Sequence, residues 1–137
     1  MIGGIASNFV PYTSIDPELA KFDNEFVAEV KKYCREDQYF HPIQKRIFFE
    51  NIEDKQVIAQ CGYSPFNFKV GVSYFHWRRS SEEQKFATLN HEFTHCYFKV
   101  GHNPDPGNYM YAFENYLPRE VVKKQLTDFL AERCFRE

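Results

Sequence analysis

The chain has 137 residues, a formal net charge of −2 and 43% hydrophobic residues. That is the size of one domain with a single core, so residues 1–137 are read as one unit. The absence of a basic block argues against a nucleic-acid partner, and no apolar run approaches the roughly 18 residues of a membrane span.

The start, Met1-Ile2-Gly3-Gly4-Ile5-Ala6-Ser7, has neither a basic n-region nor a long apolar stretch, so a secretion signal is not expected. The chain reads as cytoplasmic. On that reading Cys34, Cys61, Cys96 and Cys134 are expected as buried free thiols, with two disulfides as the alternative for a secreted protein. The aromatic fraction of 18% predicts a core built largely from rings.

The first 15 residues read as irregular. Asp16-Pro17-Glu18 marks a helix start, with Asp16 as N-cap and Pro17 at the first helical position. Leu19, Phe22, Phe26, Val27, Val30 and Tyr33 continue at helical spacing, and the helix is expected to end near Glu36. Three strands are expected over residues 45–52, 56–63 and 69–77, the last with Val70, Val72, Tyr74 and His76 on one side. Ser80 and Glu83 suggest a capping box that opens a long helix running toward Val100, with Gly101 as its stop. A turn-rich stretch follows, and a last helix is expected after Pro118, with Val121, Val122, Leu126, Phe129, Leu130 and Cys134 on its apolar side.

The long helix carries His91-Glu92-Phe93-Thr94-His95, an H-E-x-x-H pattern. Residues four apart on a helix lie roughly 40° apart, one turn up the same face. Two imidazoles so placed can both reach one Zn²⁺. Glu92 is rotated about 100° from His91, outside the ligand set but placed to take a proton from an attacking water. Phe86, Leu89, Phe93, Cys96, Tyr97 and Val100 form one apolar stripe, and His91 and His95 lie on nearly the opposite side. Thr88 and Phe98 share that side, so the segment after Gly101 is expected to cover it and leave a cleft.

Catalytic zinc usually has three protein ligands and one open position. His102 is the favoured third ligand, with Asp105 and Glu114 as alternatives. A helix continued to Val100 would carry His102 roughly 10 Å along the axis from His95. The helix must therefore break near Phe98 to Lys99 if His102 is to return to the metal. His41 and His76 are read as structural or surface groups.

His91-Glu92-x-x-His95, then Gly101-His102, then Tyr109-Met110-Tyr111 resembles the metzincin metallopeptidases, close to the matrix-metalloproteinase branch. The resemblance covers residues 84–113. It implies a zinc-dependent peptidase in which Glu92 is the general base, His91, His95 and His102 bind Zn²⁺, and Met110 packs as the turn methionine. It also implies an α+β fold, with a small twisted mixed sheet on a long zinc-binding helix and helices at both ends. Residues 69–77 or a neighbouring strand would edge the cleft, and a peptide or protein substrate would add there as an extra strand. The departures are Phe98, where the family has glycine, and the third histidine, one residue late. Ala112 stands where a related subgroup has a tyrosine ligand, so no such ligand is expected. Two other readings remain: a non-catalytic, zinc-stabilised protein-binding domain, and a cytosolic repair-type H-E-x-x-H protease acting on nucleic-acid-bound proteins.

Overall fold

The computed structural model describes residues 12–113, 115 and 117–134. The fold is α+β: among the described residues, a four-stranded mixed sheet with four α-helices and one 3-10 turn at Glu36–Gln38. The elements in chain order are β1 (Tyr12–Ile15), α1 (Pro17–Tyr33), β2 (Gln44–Glu50), β3 (Ala59–Tyr63), β4 (Asn67–Ser73), the one-turn helix α2 (Tyr74–Trp77), α3 (Glu82–Phe98) and α4 (Arg119–Arg133). The strand order is β1-β2-β4-β3. β1, β2 and β4 are parallel, and β3 runs antiparallel to β4 at the edge.

Asp16 caps α1 as expected, its side chain accepting the Glu18 N–H at 2.9 Å, which satisfies one of the free donors of the first turn. Leu19, Phe22, Phe26 and Val30 form the buried stripe of α1. The helix packs on β2 and α3, α3 packs on β3 and β4, and α4 lies against α1 and α3. Ile47, Phe68, Val70 and Val72 give the sheet its buried face, while Gln60, Lys69 and Glu50 lie on the other. Rings dominate the interior: Phe26 meets both Phe93 and Tyr97 at 5.5 Å, and Phe22 meets Trp77 edge-on at 5.5 Å. Asp23, nearly fully buried, accepts from Lys45 Nζ at 2.9 Å and from the Tyr97 hydroxyl at 2.6 Å, a closed polar network inside this aromatic packing.

Several expectations are corrected. Residues 12–15 form β1, which pairs with β2. β4 stops at Ser73 because its hydroxyl caps α2, accepting the His76 N–H. Tyr74 and His76 therefore leave the strand. The capping box of α3 falls one residue later, with Ser81 accepting from the Gln84 N–H and Gln84 accepting from the Ser81 N–H. Glu83, released from that role, accepts the Arg119 N–H at 2.6 Å and closes the start of α4.

The cysteines are paired. Cys34, at the end of α1, is bridged to Cys134, at the end of α4, and Cys61 on β3 is bridged to Cys96 on α3. The free-thiol expectation fails because the fold brings together cysteines that lie 100 and 35 residues apart, a proximity local sequence does not encode. Among the described residues no helix is long and apolar enough to cross a membrane.

Candidate metal centre

α3 ends at Phe98, and Lys99 takes the left-handed conformation, φ 54° and ψ 41°. This is the break that the position of His102 requires. It turns the chain back along α3, so His102 returns beside the two helical histidines. The ring centroids of His91 and His95 lie 4.7 Å apart, and the His102 ring lies 4.7 Å from His95 and 5.3 Å from His91. One ligand nitrogen from each of the three lies within 4.8 Å of the others.

The hydrogen bonds fix how two of these rings are presented. His91 Nδ1 lies 2.8 Å from the Tyr109 carbonyl, and His95 Nδ1 lies 2.6 Å from the Val100 carbonyl. A carbonyl oxygen only accepts, so each Nδ1 carries the proton and donates it. Each Nε2 is then left with a lone pair, and the two Nε2 atoms face one another at 3.1 Å. Two facing acceptors repel unless a cation stands between them. Tetrahedral zinc, with Zn–N distances of about 2.0–2.1 Å, separates its nitrogen ligands by roughly 3.4 Å. The donor set of three imidazoles therefore fits a transition-metal ion of the zinc type, and the outward carbonyl bonds are the usual means of holding such ligands.

Burial lowers the pKa of His91 to about 4 and also lowers that of His95, keeping both rings neutral, as a ligand must be. Glu92 Oε2 lies 3.9 Å from His91 Nε2. Its carboxyl is buried, which raises its pKa to about 8, and the Cys61 backbone amide dipole offsets this only in part. Neutral imidazole and protonated carboxyl make this proximity rather than an ion pair near neutrality.

Behind the rings, the turn bearing Tyr109 and Met110 is fixed from several sides. The Tyr109 N–H donates to Gln125 Oε1, and Gln125 Nε2 donates to the Gly107 carbonyl, both at 2.7 Å. Thr94 donates its hydroxyl proton to the Asn90 carbonyl, so the Tyr109 hydroxyl is the donor in the 2.9 Å bond between Tyr109 and Thr94. Burial pushes the Tyr109 pKa up, which suits that donor role. Met110 is buried, and its carbonyl accepts the Asn103 N–H.

Asp105 stands elsewhere, its carboxylate exposed and accepting the Gly107 N–H at 2.9 Å. The third candidate, Glu114, lies outside the described residues. His41 bonds the Glu36 carbonyl and His76 the Lys55 carbonyl, away from the cluster. Sequence reasoning missed Gln125, because a distant amide side chain leaves no motif.

The three histidines open onto a cleft of about 600 Å³ between β3, α3 and the loop carrying Tyr111 and Phe113. β4 lies inside the sheet, so the strand over 69–77 does not edge the cleft; its neighbour β3 does. Among the described residues the lining includes no Lys, Arg or Asp.

Comparison with protein-family models, with curated proteins and with solved structures gives no match. The class defined so far is an α+β domain with a three-histidine cluster able to hold a metal ion.

Proposed function

We propose that the protein is a zinc-dependent peptidase in which His91, His95 and His102 hold Zn²⁺ and Glu92 is the general base. The observation that carries this reading is the pair of Nε2 lone pairs facing each other at 3.1 Å, with a buried carboxyl 3.9 Å away at the wall of a cleft. Bound zinc would acidify a water and polarise the scissile carbonyl. Glu92 takes up the proton on its carboxylate and hands it to the departing amine. Burial raises its pKa to about 8 in the metal-free chain, and the positive charge of a bound zinc beside it would favour the carboxylate form that this role needs.

The edge strand supports a peptide substrate. Ile58 and Ser64 bond Ser73 and Asn67, so by the alternation of an antiparallel pair residues 58, 60, 62 and 64 direct their backbone groups at β4. Ala59, Cys61 and Tyr63 direct theirs outward, into the cleft, where an extended chain can pair with them. A lining with no Lys or Arg among the described residues disfavours the nucleic-acid-linked alternative.

The test is cleavage of a mixed peptide library by zinc-loaded protein, chelator-treated protein and Glu92→Gln. Cleavage is expected only in the first, with Glu92→Gln slowed about 10²–10⁴-fold while still holding zinc. A zinc-loaded wild type that cleaves nothing, or a Glu92→Gln variant as fast as wild type, overturns the assignment.

A further inference from the structure

Gln125 stands in the second turn of α4, flanked in sequence by the buried Val122 and Leu126. Its side-chain amide reaches the loop that carries Tyr109. Oε1 accepts the Tyr109 N–H and Nε2 donates to the Gly107 carbonyl, both at 2.7 Å. These two groups belong to the peptides on either side of Asn108, so one amide clamps both. A reversed amide would set donor against donor and acceptor against acceptor, which fixes its orientation. Asn108, held between the two peptides, accepts the Met110 N–H on Oδ1 at 2.8 Å. That N–H shares a peptide plane with the Tyr109 carbonyl, and this carbonyl accepts the His91 Nδ1 proton across 2.8 Å. The loop has no slack: every backbone N–H and C=O of residues 107–110 is hydrogen-bonded. α4 is in turn anchored at both ends, where Glu83 of α3 accepts the Arg119 N–H and Cys134 is bridged to Cys34.

We propose that Gln125 is a positioning residue for the metal centre: through residues 107–110 it fixes the Tyr109 carbonyl, which sets the tautomer and the orientation of His91. This rests on the reading of His91, His95 and His102 as metal ligands and is independent of the reaction the metal serves. His95 is an internal control. It donates its Nδ1 proton to the Val100 carbonyl, in the turn that ends α3, and neither bond of Gln125 reaches that turn. Loss of the clamp frees the Tyr109 carbonyl to rotate with its peptide. The His91 ring then loses its outer partner while His95 keeps its own. A neutral imidazole without that partner populates both tautomers, and only one of them offers Nε2 to the metal.

The experiment compares wild type with Gln125→Leu, which removes both bonds at similar size. Zinc affinity is read by chelator competition. In protein loaded with Co²⁺ instead, the ring N–H protons of the ligand histidines give separate, strongly shifted proton resonances. Those of His91 and His95 are assigned by their contacts with Tyr109 and Val100, and the exchange of each with water is timed. In Gln125→Leu the His91 signal is expected to exchange at least about tenfold faster and the His95 signal to change less than about twofold. Zinc affinity is expected to fall about tenfold, the lower end of what loss of an outer partner costs.

Equal acceleration of both signals, the result of a general loosening of the fold, overturns the proposal. So does an unchanged His91 signal or an unchanged zinc affinity. A wild type that binds neither metal brings down the metal reading itself, and the role of Gln125 with it. A wild type that binds beside an unaltered variant brings down the role of Gln125 alone. Should Gln125→Leu not fold, Gln125→Ala, which removes the same two bonds without adding an apolar group, is measured in its place.

Discussion

His91 and His95 face each other through Nε2 at 3.1 Å while each donates its Nδ1 proton to a backbone carbonyl of the chain after α3. The pair is complete only with His102, which the turn at Lys99 delivers. Wild-type protein is therefore expected to bind one zinc per chain. His102→Ala should weaken binding by more than the roughly 10–100-fold that loss of an outer hydrogen-bond partner costs. Asp105→Ala should bind as wild type, since its carboxylate serves the Gly107 N–H. Metal content and chelator competition measure all three.

The left-handed residue at 99 has a lysine side chain, whose Nζ lies 3.8 Å from the centre of the Phe40 ring. A β-branched side chain is poorly tolerated there. Lys99→Val is expected to cost about 1–2 kcal/mol of stability and to weaken zinc binding, because the same turn sets His102. Lys99→Asn, which accepts the conformation, should retain zinc affinity. Denaturant unfolding and zinc competition check the two variants together.

Metal-free protein should show opposing pH dependences from this one site. Burial raises the Glu92 pKa to about 8, so the folded state holds a proton that the unfolded chain releases above about 4.5. That stability is present at low pH and is lost as pH rises toward 8. Burial lowers the His91 pKa to about 4, so its contribution is present above about 6.5 and is lost as pH falls toward 4. His95 shifts in the same direction as His91. The site therefore favours folding most near pH 6.5 when no metal is bound. Glu92→Gln should remove the fall between pH 6.5 and 8, which is on the order of 2 kcal/mol, and be more stable than wild type at pH 8. Melting temperature against pH for the two metal-free proteins decides it.

Asp23, Lys45 and Tyr97 join α1, β2 and α3 through bonds of 2.6–3.0 Å. Removing the carboxylate strands a partly buried ammonium. Asp23→Ala should lose roughly 3 kcal/mol, whereas Asp23→Leu/Lys45→Met, which removes both charges, should lie much closer to wild type. Unfolding free energies of the two variants test this without reference to the metal.

The metal helix was legible because its chemistry is local: i, i+4 histidines on a face opposite the apolar stripe need only the helical period. Axial rise left two outcomes, a break near Phe98 to Lys99 or another third ligand, and the expected stop at Gly101 gave way to Lys99. Strand order was not legible, since β1 is four residues long and owes its existence to β2. Nor was the cysteine pairing, which depends on the ends of α1 and α4 meeting. Ser80 and Ser81 are equally good caps in sequence. The choice falls to Ser81, with Ser80 donating to the His76 carbonyl and Glu83 engaged by α4.

The Cys34–Cys134 bridge joins positions 100 residues apart, so most of the chain is a covalent ring. In the chain-entropy view, closing such a ring destabilises the unfolded state by about 4–5 kcal/mol. It also changes what a cut means. One molecule nicking another anywhere between those two cysteines, for instance in the exposed stretch at 53–56, would open the ring without releasing a fragment. Autolysis would then pass unseen under non-reducing electrophoresis, and a nicked molecule could keep its metal site intact.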